Sequence, residues 1–514
     1  MADWKTKIND LLDRRAAVME AGGPGRVAKQ HNGGKLTARE RMEALFDDET
    51  FVELNDMITS RAVDFGMDKK RKVGDGVITG YGLIHGRLAF AASQDFTVSG
   101  GSLGEAHARK ICMAMDKALE MRAPFISMND SGGARIEEGI DSLAGYANIF
   151  YRNTKASGEI PQISVILGPC AGGACYSPAI CDYVFMTENT SQMYITGPQV
   201  IREVTGEEIT AVALGGPKVH ACKSGVAHFV YPSDLECLNG VRQLLSYLPQ
   251  NREGKSMEVR GVEVDRCAEL SEIVPYDAKQ AYDVRDVIST FVDEDSFFEV
   301  QSSFARNLVV GFARISGKTV GIVANQSNYL AGSLEIHASD KGARFIRFCD
   351  NFNIPLLTLV DVPAFLPGSD QEYNGIIRHG AKLLYAYAEA TVPKISLIMR
   401  KAYGGAYIAM NSKGLGADVV YAWPIAEIAV MGASGAIAVI GRKAIDAAED
   451  KEEKYAELVK EYNSKFMTPY IAAEHGYVDA VILPSETRER IVSALEMLKD
   501  KERHGRRRHG NIPL

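Results

Sequence analysis

The chain has 514 residues, with 58 Lys and Arg against 66 Asp and Glu, a net charge of −8, and 46% apolar and 24% charged residues. This balance excludes a disordered or fibrous chain and a protein that holds nucleic acid by a global basic field. The length allows two large domains or several small ones. Any anionic ligand must be met by local clusters of Lys and Arg or by backbone N–H groups.

In chain order, the first stretch, MADWKTKINDLLDRRAAVMEAGG, is charged and amphipathic and lacks the apolar core of a signal peptide. Arg26, Lys29, Lys35, Arg39 and Arg41 follow, and then Lys69-Lys70-Arg71-Lys72 just ahead of the glycine-rich Gly74-Asp75-Gly76-Val77-Ile78-Thr79-Gly80. Runs of charge read first as solvated faces. The second run adjoins a glycine-rich strand edge, which makes it the best candidate for phosphate contact. A third basic cluster, Arg503, Arg506, Arg507 and Arg508, stands at the C-terminus.

The chain repeats itself. Gly101-Ser102-Leu103 precedes a helical pattern with Ile111, Met115 and Leu119 on one face, then Pro124 and the apolar run 125–128. Gly332-Ser333-Leu334 precedes a pattern with Phe345, Phe348, Cys349 and Phe352, then Pro355 and the apolar run 356–360. The two blocks stand 231 residues apart, Gly332 against Gly101. A second pair of blocks agrees: Ile160-Pro161-Gln162-Ile163-Ser164 before Gly172-Gly173, and Val392-Pro393-Lys394-Ile395-Ser396 before Gly404-Gly405. Fixed-offset self-similarity is the mark of a duplicated unit. Short apolar strands alternating with longer helical patterns predict an α/β domain in each half. The join is expected near Pro249–Gly254, where polarity rises, giving domains 1–252 and 253–514.

Strand-to-helix corners carry the chemistry that can be read from residues. The apolar run Val165–Leu167 leads into Gly168-Pro169-Cys170-Ala171-Gly172-Gly173, and Arg400-Lys401-Ala402-Tyr403-Gly404-Gly405-Ala406-Tyr407-Ile408 occupies the matching place in the second half. Glycines at such a corner let N–H groups point outward at a helix start, where they can hold a phosphate or a developing oxyanion. They can equally serve only close helix–strand packing. No phosphate-loop or dinucleotide fingerprint is present. Another glycine turn, Ser131-Gly132-Gly133-Ala134-Arg135, sits where substrate could lie along the same edge.

The usual side-chain chemistry is missing. There is no G-x-S-x-G elbow, and His and Cys show no metal-ligand spacing, so no metal site is expected. A packed or capping role is expected of His107, His337 and His379, and a surface position of His31, His504 and His509. The eight cysteines form no C-x-x-C pair and are too sparse for a disulfide scaffold, which points to small buried residues in a reducing, cytoplasmic compartment. The least polar run, Ile425–Ile440, is interrupted by Glu427 and Ser434, so no membrane span is expected.

Taken together, the motifs resemble the carboxyltransferase (β) subunits of biotin-dependent acyl-CoA carboxylases, the group that includes propionyl-CoA carboxylase, methylmalonyl-CoA decarboxylase and transcarboxylase. The matching stretches are Gly33-Gly34-Lys35-Leu36-Thr37-Ala38-Arg39-Glu40-Arg41, Gly74-Asp75-Gly76-Val77, Ser131–Arg135, Gly168–Gly173, Ile195-Thr196-Gly197-Pro198, Lys223–His228, Arg378–Leu384, Arg400–Tyr407, Ala422-Trp423-Pro424 with Val430-Met431-Gly432, and the ending His509–Leu514. They cover nearly the whole chain in order.

The resemblance implies two duplicated crotonase-like domains, acyl-CoA on the N-terminal side and biotin on the C-terminal side, and a homo-hexamer whose sites are shared between subunits. It implies that the N–H groups of Gly172 and Gly173 hold the thioester enolate oxygen and those of Gly405 and Ala406 the ureido oxygen of biotin. Ser131, Gly132, Gly133, Ala134, Arg135, Lys72 and Gly74 would contact acyl-CoA, and Tyr403, Gly404, Tyr407 and Ile408 would line the biotin and acyl pocket. Many propionyl-CoA carboxylases carry Asp where this chain has Ile408, which leaves the acyl preference open. With biotin supplying the base, the lack of a protein base is accounted for.

The chain contains no biotin-attachment Met-Lys-Met and no biotin carboxylase region. The expected partners are therefore a biotin carboxyl carrier protein and either a biotin carboxylase subunit or a membrane decarboxylase subunit, with no nucleic acid. The expected reaction is carboxyl transfer between carboxybiotin and a short acyl-CoA, foremost propionyl-CoA to methylmalonyl-CoA, or its reverse. A crotonase-type enoyl-CoA hydratase with Glu137 or Glu138 as base is a distant alternative.

Overall fold

A computed structural model describes residues 3–503, 505 and 509–513. Of the C-terminal cluster, Arg506, Arg507 and Arg508 lie outside the described residues, as does His504. The chain divides into two compact units, the first reaching Lys255 and joined by His509–Pro513, the second beginning at Ser256. The second domain expected over 253–514 therefore ends before His509. The reason is local: the Asn511 N–H donates to Ser157 Oγ at 2.8 Å and its side-chain amide to Asp182 Oδ1 at 3.1 Å.

The first unit is built on an eight-stranded sheet. Its strands are β1 (Val52–Leu54), β2 (Val77–Ile84), β3 (Arg87–Gln94), β4 (Phe125–Ser131), β5 (Gln162–Ala171), β6 (Tyr183–Thr187), β7 (Gln192–Tyr194) and β8 (Phe229–Tyr231). They run in the order β1-β2-β3-β4-β5-β6-β8, with β7 beside the end of β5. The pairs β1/β2 and β2/β3 are antiparallel, and from β3 to β8 the pairing is parallel.

The second unit repeats the plan. Its strands are β9 (Phe298–Val300), β10 (Leu308–Ile315), β11 (Lys318–Asn325), β12 (Leu356–Val362), β13 (Lys394–Tyr403), β14 (Val419–Ala422), β15 (Glu427–Ala429) and β16 (Ala480–Val481). The order is β9-β10-β11-β12-β13-β14-β16, with β15 beside β13.

The repeat extends to detail. Ser127 pairs with Ser164 and Thr358 with Ser396, and the register slips at the same place, between Asn129 and Ser131 and between Val360 and Val362. Isolated bridges join Leu103 to Ala134 and Leu334 to Phe365. The glycine that opens each block has a steric reason: a Cβ on Gly101 would stand 2.0 Å from Asp130 O, and one on Gly332 2.6 Å from Asp361 O.

Parallel strands covered on both faces read as continuous apolar runs, and β12 is buried from end to end. The predicted helices occur as Glu105–Glu120, which buries Ile111 and Met115, and Ile336–Asn351, which buries Phe345, Phe348 and Cys349. Among the described residues no helix is long and apolar enough to cross a membrane. Among the described residues no disulfide joins the cysteines, and Cys222 is exposed while the other seven are buried.

One duplicated feature escaped the motif reading. Lys110 and Lys341 both lie in the core of their units. Lys110 Nζ donates to Gly74 O at 3.1 Å and Val77 O at 2.5 Å, and Lys341 Nζ to Gln301 O at 3.0 Å and Phe304 O at 2.8 Å. Each amine thus pins the segment that enters the sheet at β2 or β10 to the helix beneath it.

Burial pushes the Lys341 pKa from 10.5 down to about 7 and that of Lys110 to about 8. Between those values and 10.5 the unfolded chain binds protons that the native chain does not, so these groups make stability rise with pH through that window. The urea midpoint is therefore expected to climb from pH 7 to 9.5, and Lys341→Met to flatten that climb.

Candidate functional site

The first-unit site begins beneath the β4/β5 edge. Asp130, near the end of β4, is fully buried. It receives Lys35 Nζ at 2.7 Å, Arg41 Nη1 at 3.0 Å and Gln30 Nε2 at 3.1 Å. Arg41 also donates to Asp234 at 2.9 Å and to Leu167 O at 3.0 Å. Burial opposes the Arg41 charge, but Asp130 and Asp234 overcome it, so the guanidinium holds its proton more firmly than usual.

A solvated face was the first reading of the N-terminal basic cluster. For Lys35 and Arg41 the structure corrects it, because both reach inward to buried carboxylates. Gly168 is glycine because a Cβ there would lie 2.0 Å from Asp130 Oδ1.

β5 then ends at Ala171, and a tight turn, Gly172–Cys175, starts the helix Tyr176–Ile180. Gly172 has φ +62, a left-handed backbone. The first N–H groups of such a turn have no partner within it, and those of Gly172 and Gly173 find no acceptor among the described residues. The Tyr146 ring packs beneath Gly173, 3.2 Å from where a Cβ would stand. Cys175 Sγ donates to Cys170 O at 2.8 Å.

The Ser131–Arg135 turn lies alongside. Ser131 pairs with Cys170 across the sheet, and a Cβ on Gly133 would be 3.0 Å from Ala171 O. The N–H groups of this turn are already engaged: Gly132 donates to Gly100 O at 3.0 Å and Gly133 to Ser131 Oγ at 3.1 Å. The Leu103–Ala134 bridge fixes Ala134.

Arg135 was expected to face acyl-CoA. Its side chain is only 3% exposed and bonded to Asp75, Glu138 and Ser102. Glu138, the carboxylate weighed as a hydratase base, accepts from Ser60 Oγ, Glu105 N and Arg135, so it is an anchor rather than a free base.

Lys72 stands with Arg26, Lys69, Lys70 and Arg71 around a cleft of about 640 Å³ that Ser102, Arg135 and Glu137 also line. Gly74 is buried behind it, its carbonyl held by Lys110. Arg26, Lys29 and Lys35 border a second cavity of about 440 Å³.

The second-unit corner is the counterpart. β13 ends at Tyr403, and the helix Gly404–Ala409 follows. Gly404 has φ +57, and a Cβ there would be 2.9 Å from Val430 O. Space in front of Gly405 is open. The first-turn N–H groups of Gly404, Gly405 and Ala406 find no acceptor among the described residues.

Because Ala171 pairs with Tyr194 and Tyr403 with Ala429, the internal register sets Gly404 against Gly172 and Gly405 against Gly173. Tyr407 is partly covered, and Ile408 is 47% exposed. The Tyr403 hydroxyl donates to Glu427, a residue the motif reading missed. Burial and Glu427 push the phenol pKa up, so Tyr403 stays protonated.

Under this corner Asp361 takes the place of Asp130. Arg400 Nη2 lies 2.9 Å from its Oδ2 and Lys401 Nζ 3.0 Å from its Oδ1. Both aspartates stand at the end of an apolar strand, 231 residues apart, and this spacing was the available signal for them. Of the histidines, His107 is packed, with Nδ1 3.0 Å from Asp75 O, and His379 pairs with Asp340 at 2.8 Å. His337 is exposed, its ring against Phe304.

Comparison with known proteins fits this geometry. The carboxyl transferase domain model matches residues 29–512. The chain is 55% identical over 511 residues to the propionyl-CoA carboxylase carboxyltransferase subunit of Haloferax mediterranei, covering 99% of each. It is 54% identical over 512 residues to the methylmalonyl-CoA decarboxylase subunit alpha of Propionigenium modestum, again 99% of each. A crystal structure of transcarboxylase 12S, described as a hexamer with methylmalonyl-coenzyme A bound, matches with a TM-score of 0.96 at 51% identity over 100% of this chain and 99% of that one. The fold is the duplicated crotonase-like carboxyltransferase fold.

Removing one partner from a buried ion pair costs on the order of 3–5 kcal/mol, because the other charge is left uncompensated. Asp130→Asn and Asp361→Asn are each expected to lower stability on that scale, read as a shift in the urea midpoint with unaltered m-value.

Proposed function

Since the chain belongs to the carboxyl transferase family, we propose that it moves a carboxyl group between biotin and the α-carbon of a short acyl-CoA, propionyl-CoA and methylmalonyl-CoA being the pair. The observation that carries the reading is the matched pair of corners, each ending a buried parallel strand and each presenting first-turn N–H groups with no internal acceptor. The reaction passes through an enolate on the thioester, and a fixed N–H pair lowers that barrier without reorganisation; one such donor is worth about 3 kcal/mol.

In the first unit Gly172 and Gly173 hold the thioester oxygen. The basic cleft around Lys69–Lys72 and Arg26 takes the CoA phosphates. Ser131–Ala134 forms the wall beside the corner, and Arg135 and Gly74 act from behind that wall.

In the second unit Gly405 and Ala406 meet the ureido oxygen of biotin. The residues there suit that group: space in front of Gly405 is open, and Tyr403, Tyr407 and Ile408 supply a mixed aromatic and aliphatic surface. Biotin, when bound, supplies the carboxyl group and the base. The chain's own side chains at the corners are poor bases, with Tyr403 held protonated by burial and by Glu427 and Glu138 already hydrogen-bonded.

Biotin is delivered by a carboxyl carrier protein, a reading supported by relatives matched over 99% of their length that are themselves separate subunits of such complexes. A biotin carboxylase subunit or a membrane decarboxylase subunit completes the complex around a homo-hexamer of this chain. A cytoplasmic location fits cysteines that form no disulfide among the described residues.

Purified chain incubated with methylmalonyl-CoA and biocytin is expected to form propionyl-CoA above a control without biocytin. No difference from that control, in an assay where a known carboxyltransferase subunit responds, defeats the proposal. Gly405→Pro deletes one donor and is expected to abolish turnover in a folded protein. Lys69→Glu with Lys72→Glu is expected to raise KM for the CoA thioester about tenfold with kcat retained.

A further inference from the structure

We propose that Arg135 is a positioning residue for the acyl-side corner: with Asp75 and Glu138 it forms a buried ionic brace that holds the Ser131–Arg135 turn against Ala171, the residue before Gly172. This rests on the carboxyl-transfer reading above and deepens it.

The guanidinium is bonded to three partners. Arg135 Nη1 lies 2.8 Å from Asp75 Oδ1 and 2.8 Å from Glu138 Oε1, and Nη2 donates to Ser102 O at 2.9 Å. Each carboxylate is tied further. Asp75 Oδ2 accepts the His107 N–H at 3.0 Å, and Glu138 accepts the Glu105 N–H at 2.7 Å and Ser60 Oγ at 3.1 Å. One guanidinium thus links the start of β2, the start of the helix Glu105–Glu120 and the loop at Ser60. Gly104 makes room for it, since a Cβ there would stand 2.5 Å from Glu138. From this anchor the chain runs back through the Leu103–Ala134 bridge to Gly133, which passes so near Ala171 that a Cβ there would stand 3.0 Å from its carbonyl oxygen.

The second unit shows that the fold does not require the brace. There Leu366 stands in the place of Arg135, and its N–H donates to Leu334 O at 2.7 Å just as the Arg135 N–H donates to Leu103 O at 2.9 Å. Leu334 bridges Phe365 as Leu103 bridges Ala134. The helix Ile336–Asn351 is capped by Glu335, whose carboxylate accepts the His337 and Ala338 N–H groups. The same backbone is built without a buried arginine, although burying charge is costly. The ionic version occurs on the side assigned to acyl-CoA, where Arg135 and Ser102 also border the basic cleft. Its forked guanidinium fixes orientation as well as distance.

The test uses Glu138→Gln, which keeps the shape, Arg135→Lys, and the triple variant Arg135→Leu, Asp75→Asn, Glu138→Gln, which installs the leucine of the second unit and removes the three charges of the brace together. Turnover of methylmalonyl-CoA with biocytin is measured beside hydrogen exchange of the amides over residues 131–135 and of Tyr176, whose N–H donates to Gly173 O at the end of the corner turn. The expected result in folded variants is a kcat reduced about tenfold, KM for methylmalonyl-CoA within about twofold of the parent, and faster exchange at both places. Unaltered kcat with a lowered melting temperature makes Arg135 structural only and overturns the proposal. A large rise in KM with kcat retained assigns Arg135 to CoA contact and overturns it also. If the parent chain shows no biocytin-dependent turnover, the carboxyl-transfer reading fails, and the exchange data still decide the brace: protection unchanged at Tyr176 refutes it.

Discussion

A carboxylate sealed from water at the end of one parallel strand must be met by a cation, and in each half of this protein that requirement organises the corner above it. Asp130 and Asp361 hold equivalent places beside the register slip where β4 and β12 part from their neighbours. The cations arrive by different routes. In the second unit Arg400 and Lys401 come from the adjacent strand. In the first the equivalent strand position is Gly168, the space is filled by Asp130 itself, and Lys35 and Arg41 reach in from the N-terminal segment. That segment is thereby bound to the site by charge, because leaving Asp130 unpaired would be prohibitive.

The corners derive their chemical character from what they lack. A left-handed glycine opens the turn after the strand, and the first N–H groups of that turn find no acceptor among the described residues. Carboxylates and phenols nearby are held in other bonds: Glu138 by three donors, Tyr403 by Glu427. A surface of fixed dipoles stabilises charge without moving protons, which suits a reaction whose proton carrier is a bound group. The two corners differ in their support. In the first unit the Asp75–Arg135–Glu138 cluster stands beside the Leu103–Ala134 bridge, whereas the second unit builds the same bridge around Leu366.

Much of the architecture was legible in the residues. Repeated Gly-Ser-Leu and Pro-strand blocks disclosed a duplication, and the apolar runs disclosed buried parallel strands, because strands covered on both faces cannot alternate in polarity. The glycine corners were visible for the same reason that they work, since few residues tolerate φ near +60. Charge was harder to read. Lys35, Arg41 and Arg135 look alike in sequence to Lys69 and Lys72, yet Arg41 and Arg135 are buried and Lys35 largely covered, each bonded to a carboxylate, while Lys69 and Lys72 stand exposed. Lys110 and Lys341 gave no local sign of burial.

What the sequence alone determined was therefore whatever depends on periodicity and backbone conformation: two α/β halves, their strand-to-helix corners, and the family to which they belong. What only the tertiary structure decided was the destination of each charged side chain. A long polar side chain carries no local signature of its partner, and its role is set by which carboxylate or carbonyl the folded chain places within about 3 Å of it.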